Sequence, residues 1–270
     1  MKVTLAEYSG FCFGVSNALK KIKNSNSNAY ILGKLIHNNE VVDELKRKGF
    51  KFTENIAEIG KGPVIISAHG VSDSITKEIK EKGLEIIDTT CPLVKNVHKI
   101  TKELEKQGYR IIIFGDKEHT EVKGIIGNLN SPIVISSISE IRNIPKGKYA
   151  LVSQTTQDVL KFKEISDKLK EKISDLVIKD TICSATKSRQ EKSKELAKKV
   201  GLMIVIGSRH SANTKRLAEI CSKIVETKHI ENESGLKEEW FSGKQHIGVT
   251  AGASTPDYII KRVVEIIKAK

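Results

Sequence analysis

The sequence predicts an α/β protein built from three pseudo-threefold-related units with mostly parallel sheets. Three observations carry that expectation. A cysteine closes a short motif three times, as Asp88-Thr89-Thr90-Cys91, as Asp180-Thr181-Ile182-Cys183, and more loosely as Tyr8-Ser9-Gly10-Phe11-Cys12. Each follows a short apolar run and precedes a helical pattern, and a glycine ends the next strand-like run, at Gly33, Gly115 and Gly207. Strands alternate with helices throughout, which favours parallel pairing. A repeat of this kind sets the architecture before any single residue is weighed. Three units about a common axis would bring three thiols to one centre.

The repeats continue past the glycine. Four residues on stand His37, His119 and Ser211, and six on stand Asn39, Glu121 and Asn213. A later strand in each unit ends in a polar loop, Ser67-Ala68-His69, Ser153-Gln154-Thr155-Thr156 and Thr250-Ala251-Gly252-Ala253-Ser254. Ligands of parallel sheets collect at carboxyl ends of strands, where all these loops fall.

Taken in order, Met1 to Leu5 reads as a strand and Val15 to Lys23 as a helix, with a polar spacer from Asn24 to Asn28. The strand Ala29 to Leu32, a helix ending at Gly49, the strand Pro63 to Ser67 and a helix from Asp73 complete the first unit. The second runs through Leu84 to Ile87, a helix opened by Pro92, whose fixed φ suits a first turn, the strand Arg110 to Phe114, a helix from His119, and Tyr149 to Ser153 with the helix Val159 to Lys172. The third contains Leu176 to Ile178, a long basic helix, Leu202 to Ile206, a helix through Ile220, a strand at Lys223 to Thr227, His246 to Thr250 and a last helix from Pro256. The units are set at 14–90, 91–182 and 183–270, with 1–13 packing onto the third.

Charged residues make up 29% and hydrophobic residues 39% of the 270, which fits a globular chain. The longest apolar run is Leu202 to Ile206, far short of the roughly 18 residues a membrane helix needs, and Met1 to Gly14 lacks the apolar core of a signal peptide. The expected location is cytoplasmic. The net charge of +13 accompanies only 5% aromatics, and the lysines mix with glutamates on helices. This pattern disfavours nucleic acid and favours an anionic substrate or an acidic partner.

Four cysteines in such a chain do not suggest structural disulfides. Cys221 sits in a helical pattern outside the repeat and reads as a buried thiol. Cys12, Cys91 and Cys183 read as soft metal ligands. Structural zinc normally takes four ligands, often from C-x-x-C pairs absent here. A three-cysteine iron–sulfur cluster would leave one iron open for substrate. His37, His69, His119, Ser211, Asn213 and Ser254 lie at strand-to-helix junctions, where backbone N–H groups and side-chain donors can cradle an anion. Glu121 is the only carboxylate at its repeat position and is the natural proton donor. Thr155 can hold a substrate hydroxyl. A non-catalytic iron–sulfur protein that senses redox state or binds nucleic acid is the alternative reading, and another three-unit iron–sulfur enzyme is a further rival.

The motifs Gly10 to Val15, Ile36 to Asn38, Ser67 to Val71, Asp88 to Pro92, His119 to Glu121, Ser153 to Thr156 and Gly248 to Ser254 together resemble the 4-hydroxy-3-methylbut-2-enyl diphosphate reductase family of the non-mevalonate isoprenoid pathway. The resemblance spans essentially the whole chain. It implies a trefoil of α/β units around a 4Fe–4S cluster held by Cys12, Cys91 and Cys183, with one open iron. It implies an allylic diphosphate substrate bound by His37, His69, His119, Ser211, Asn213 and Ser254, with Glu121, Thr155 and His119 in catalysis. It further implies a ferredoxin or flavodoxin type electron donor. One departure is Ala212, where the family usually has a second serine; a lost hydrogen bond to a charged group costs about 1.5–3 kcal/mol.

Overall fold

A computed structural model describes residues 1–23, 25 and 28–270. Asn24, Asn26 and Ser27, part of the polar spacer, lie outside the described residues. The chain separates into two compact units. One comprises Met1–Ser16, Ile36–Asp43 and Ser184–Lys270, the other Asn17–Leu35 and Glu44–Cys183.

The larger unit holds two four-stranded parallel sheets. The first is built from β2 (Tyr30–Leu32), β3 (Lys51–Thr53), β4 (Val64–Ile66) and β5 (Ile86–Asp88), in the order β3-β2-β4-β5. The second uses β6 (Arg110–Phe114), β7 (Ile133–Ile135), β8 (Lys148–Ser153) and β9 (Asp175–Ile178), in the order β7-β6-β8-β9. The other unit holds β10 (Leu202–Ile206), β11 (Thr227–Ile230) and β12 (His246–Ala251), and takes its fourth strand from the chain's start, β1 (Lys2–Leu5). Its order is β11-β10-β12-β1, with Lys2 opposite His246 and Leu5 opposite Val249. All three sheets thus share one topology. In each, the strand order reverses between the two central strands, where parallel α/β sheets open a crevice for ligands.

The reason for this layering is visible in the strands. β10 and β4 are buried at every position, and β6 and β8 at all but their first, because helices cover both faces; edge strands such as β1 and β9 keep exposed positions. In the second sheet Ile112, Phe114 and Leu151 face Phe162, Ile165 and Leu169 of α6 (Val159–Lys172), while Ile111, Ile113, Ala150 and Val152 face Val97 and Leu104 of α4 (Pro92–Lys106). In the third, β10 and β12 pack on one side against Ile259, Ile260, Val263 and Ile267 of α9 (Asp257–Lys268). On the other side they meet α7 (Ser184–Ala197) and α8 (Ala212–Ser222). Among the described residues no helix is long and apolar enough to cross a membrane.

One expected strand is displaced. Lys223 caps α8, and Ile224 and Val225 both return their N–H groups to the Cys221 carbonyl, at 2.9 and 3.0 Å. Pairing with β10 begins only at Thr227, opposite Met203. The apolar Val225 packs into the core beside α7 and α8, while the edge strand itself reads Thr-Lys-His-Ile, too polar to stand out.

Glycine fixes the third crevice. A Cβ on Gly252 would lie 2.0 Å from Thr214 Oγ1, and one on Gly207 would lie 2.6 Å from Thr255 Oγ1, at a φ of +142°. Gly252→Ala is therefore expected to lower stability by about 1–3 kcal/mol in urea denaturation. Adding Thr214→Ala, which removes the opposing hydroxyl, should return part of that loss and give a non-additive cycle.

Candidate active site

Each thiol stands immediately before a helix, Cys12 before α1 (Phe13–Lys23), Cys91 before α4 and Cys183 before α7. Each donates its backbone N–H to a carbonyl in the polar loop of the same sheet: Cys12 to Ala253 at 3.1 Å, Cys91 to Ala68 at 3.0 Å and Cys183 to Thr155 at 3.0 Å. Those acceptors occupy the same place, two residues beyond the end of β12, β4 and β8 respectively.

The recurring Asp-Thr-x-Cys motif now has a physical account. Asp88 Oδ1 accepts from the Thr90 N–H at 2.8 Å and Asp180 Oδ1 from the Ile182 N–H at 3.1 Å, closing matched turns. The Thr89 hydroxyl donates to the Ile66 carbonyl at 2.5 Å and the Thr181 hydroxyl to the Ser153 carbonyl at 2.6 Å, the last residues of β4 and β8. The aspartate bends the chain, the threonine ties it to the neighbouring strand, and the cysteine takes the next available carbonyl. The loop before Cys12 replaces this device with Tyr8 at φ 60° and Gly10 at φ 92°. The buried Arg189 of α7 donates to the Gly10 carbonyl at 2.8 Å.

These three cysteines are half-buried and lie in no disulfide among the described residues. Cysteine sulfur is a soft donor suited to iron. The donor set therefore fits an iron–sulfur group. Cys221 does not belong to it: it is fully buried in the α7–α8 core, and burial pushes its thiol up to about 12.

Within the larger unit His69, His119, Glu121 and Thr155 come from the crevice loops. The His69 and His119 rings meet edge to face with centroids 5.4 Å apart. His119 caps α5 (Thr120–Ile126), its Nδ1 accepting the Glu121 N–H at 3.2 Å, so the neutral ring carries its proton on Nε2. The Glu121 side chain is buried, at 2% exposure. Oε1 accepts the Thr155 N–H at 2.7 Å and Oε2 faces the Thr155 hydroxyl at 2.8 Å. Burial raises its pKa to about 7, the two Thr155 bonds pulling the other way. A carboxyl poised there can give up a proton near neutrality.

In the other unit the Ser254 hydroxyl donates to the His37 carbonyl at 3.0 Å, holding two of the expected anion-binding residues together. The Ser211 hydroxyl accepts the Thr214 N–H at 3.3 Å and caps α8. Asn213 is 4% exposed, and neither its Oδ1 nor its Nδ2 meets a partner among the described residues. A buried amide left unpaired costs about 1–3 kcal/mol, which marks it as a group built for something outside the protein. Ala212, also buried, opens α8.

Two residues given no role from sequence hold this machinery. Gln154, fully buried, accepts the Asp116 N–H on Oε1 and donates from Nε2 to the Thr156 hydroxyl, both at 2.9 Å. It thus ties the loop before His119 to the loop of Thr155. Arg189 is the second. Only Gln154's place between Ser153 and Thr155 hinted at its part; the basic helix around Arg189 gave no sign that one arginine was buried.

Three parallel α/β sheets with a soft-donor cysteine apiece, together with a buried acid at a strand-end crevice, are the features of a metal-dependent α/β oxidoreductase. The model of the LytB protein family matches residues 3–268, and the chain belongs to that family of iron–sulfur enzymes. Curated relatives include the 4-hydroxy-3-methylbut-2-enyl diphosphate reductases of Clostridioides difficile, 43% identical over 99% of each chain, and of Campylobacter hominis, 44% identical over 99% of this chain and 98% of the other. Among solved structures, the E-1-hydroxy-2-methyl-but-2-enyl-4-diphosphate reductase of Plasmodium falciparum superposes with a TM-score of 0.95 at 30% identity, covering 99% of this chain and 88% of that one. A second, described as (E)-4-hydroxy-3-methyl-but-2-enyl diphosphate reductase, the terminal enzyme of the non-mevalonate pathway, gives 0.71 at 38% identity over the whole of both chains.

The raised Glu121 pKa has a signed consequence. In the unfolded chain the carboxyl ionises near 4.5, in the folded one near 7. Its contribution to stability is therefore full below pH 4.5 and is lost as pH rises to about 7, by about 3 kcal/mol. Glu121→Gln, which can keep both bonds to Thr155, should abolish that loss. Urea denaturation at pH 5 and pH 8 should show the variant gaining on the parent protein at the higher pH.

Proposed function

We propose that this chain reduces (E)-4-hydroxy-3-methylbut-2-enyl diphosphate to isopentenyl and dimethylallyl diphosphates, the last step of the non-mevalonate isoprenoid pathway. The observation that carries the reading is the buried Glu121 carboxyl, poised near pH 7 on Thr155, whose own carbonyl holds the Cys183 N–H. Each turnover takes two electrons and two protons, and the C4 hydroxyl leaves as water.

Cys12, Cys91 and Cys183 would hold a 4Fe–4S cluster through their thiols. When bound, the cluster would relay the two electrons and lend Lewis-acid character toward the substrate hydroxyl. The boundaries at 14–90, 91–182 and 183–270, with 1–13 on the third unit, go with this reading, and the membership of the strands in the sheets supports them. The protein's own residues do the rest. His37, His69, His119, Ser211, Asn213 and Ser254 bind the diphosphate. The unpaired amide of Asn213 gains partners in its oxygens, and His119 offers Nε2–H. Thr155 orients the substrate hydroxyl, and Glu121 delivers protons through it. The electron donor is of ferredoxin or flavodoxin type, and the setting is the cytoplasm.

Iron and sulfide analysis of anaerobically purified protein is expected to give a full cluster with broad visible absorption, lost in Cys12→Ser. A colourless protein after anaerobic reconstitution would refute the assignment. Glu121→Gln should keep cluster and substrate binding while turnover falls by about 10²–10⁴, the range for a general acid. Asn213→Leu replaces an unpaired amide by an apolar group of similar shape, so it should hold or raise thermal stability. The same variant should lose the protection that inorganic diphosphate gives the parent protein in a thermal shift.

A further inference from the structure

Helix α4 begins at Cys91 and carries Lys95, Lys99, Lys102 and Lys106. Steps of four, three and four residues put all four on one face. The opposite face, with Val94, Val97, Thr101 and Leu104, is buried. The lysine face lines an open groove of about 620 Å³ that also takes in Lys80 of α3 (Asp73–Glu81).

The groove keeps an uncompensated positive charge. Its acids are Asp73, Asp88 and Glu103. Each is paired: Asp88 with Lys95, Asp73 with Lys102, and Glu103 with Lys99 at 3.8 Å. Lys80 and Lys106 have no ion pair among the described residues. The stripe is solvent-facing rather than an enclosed cage, since the Lys99 side chain is 72% and that of Lys95 53% exposed. A small anion would call for convergent, buried donors, whereas charges spread over roughly 16 Å of helix suit the carboxylates of a second protein.

We propose that this groove docks an acidic electron-carrier protein. The inference rests on the reductase reading, which needs two electrons from outside the chain. Two reduced one-electron carriers are oxidised per turnover, and the two protons come separately. Lys95 lies about one helical turn, roughly 6 Å, along the axis from Cys91, so a carrier seated at the near half of the stripe is brought up to a cluster ligand. Its carboxylates exchange with those of Glu103 and Asp88, and pair Lys106 and Lys80.

The test is the charge reversal Lys99→Glu with Lys106→Glu, beside a control, Lys168→Glu with Lys170→Glu on α6, that changes net charge equally. Binding of an oxidised acidic 2Fe–2S ferredoxin is measured at low and moderate salt, a readout independent of turnover. The stripe variant is expected to weaken Kd at low salt by at least tenfold and to flatten the salt dependence, with the control within twofold. With reduced ferredoxin, the stripe variant's KM for the carrier should rise while turnover driven by reduced methyl viologen stays unchanged. Equal weakening in both variants would reduce the effect to net charge and overturn the docking site. An unchanged Kd would overturn it too, as would a groove that binds inorganic diphosphate in the carrier's place. Absence of dye-driven turnover in the parent protein would count against the reductase reading alone, since the binding comparison stands by itself.

Discussion

The active site depends on one repeated hydrogen bond, from the N–H of a cysteine to a carbonyl two residues past the third strand of its own sheet. That bond places the thiol over the crevice where the strand order reverses. Everything near it serves the same end. The Asp and Thr of the motif bend and tie the incoming chain in two sheets, and Gly10 with Arg189 does so in the third.

Much of this was legible before any coordinates. Central strands such as Arg110 to Phe114 and Leu202 to Ile206 are short apolar runs between helical patterns, and no other element accommodates them so well. The cysteines were visible because they recur, as were His119 and Glu121 at their matched offsets. What escaped notice was structure without a pattern. β11 reads Thr-Lys-His-Ile because an edge strand needs little apolar surface, and the more apolar Val225 before it goes to the helix core instead. Gln154 and Arg189 act through buried polar bonds that no periodicity records.

The two units use polar burial differently. Glu121 is satisfied at both oxygens, yet burial still holds its proton on to about pH 7. Asn213 meets no hydrogen-bond partner among the described residues. The first group keeps its proton because burial disfavours its charge, and the second keeps its hydrogen-bonding capacity unspent among the described residues. Thr155 joins the chemistry to the scaffold: its N–H and hydroxyl serve Glu121, and its carbonyl serves Cys183. A shift in this loop would move acid and thiol together.

The pairing of β1 with β12 also orders events during synthesis. Lys2 waits for His246, so the third sheet is incomplete until nearly all the chain has left the ribosome. The first two sheets draw only on strands between Tyr30 and Ile178 and can close while translation continues. Cys91 and Cys183 are thus seated early. Cys12, made first, reaches its carbonyl on Ala253 last. Such distant pairing is slow to form, and the delay sets the earliest moment at which all three thiols stand ready.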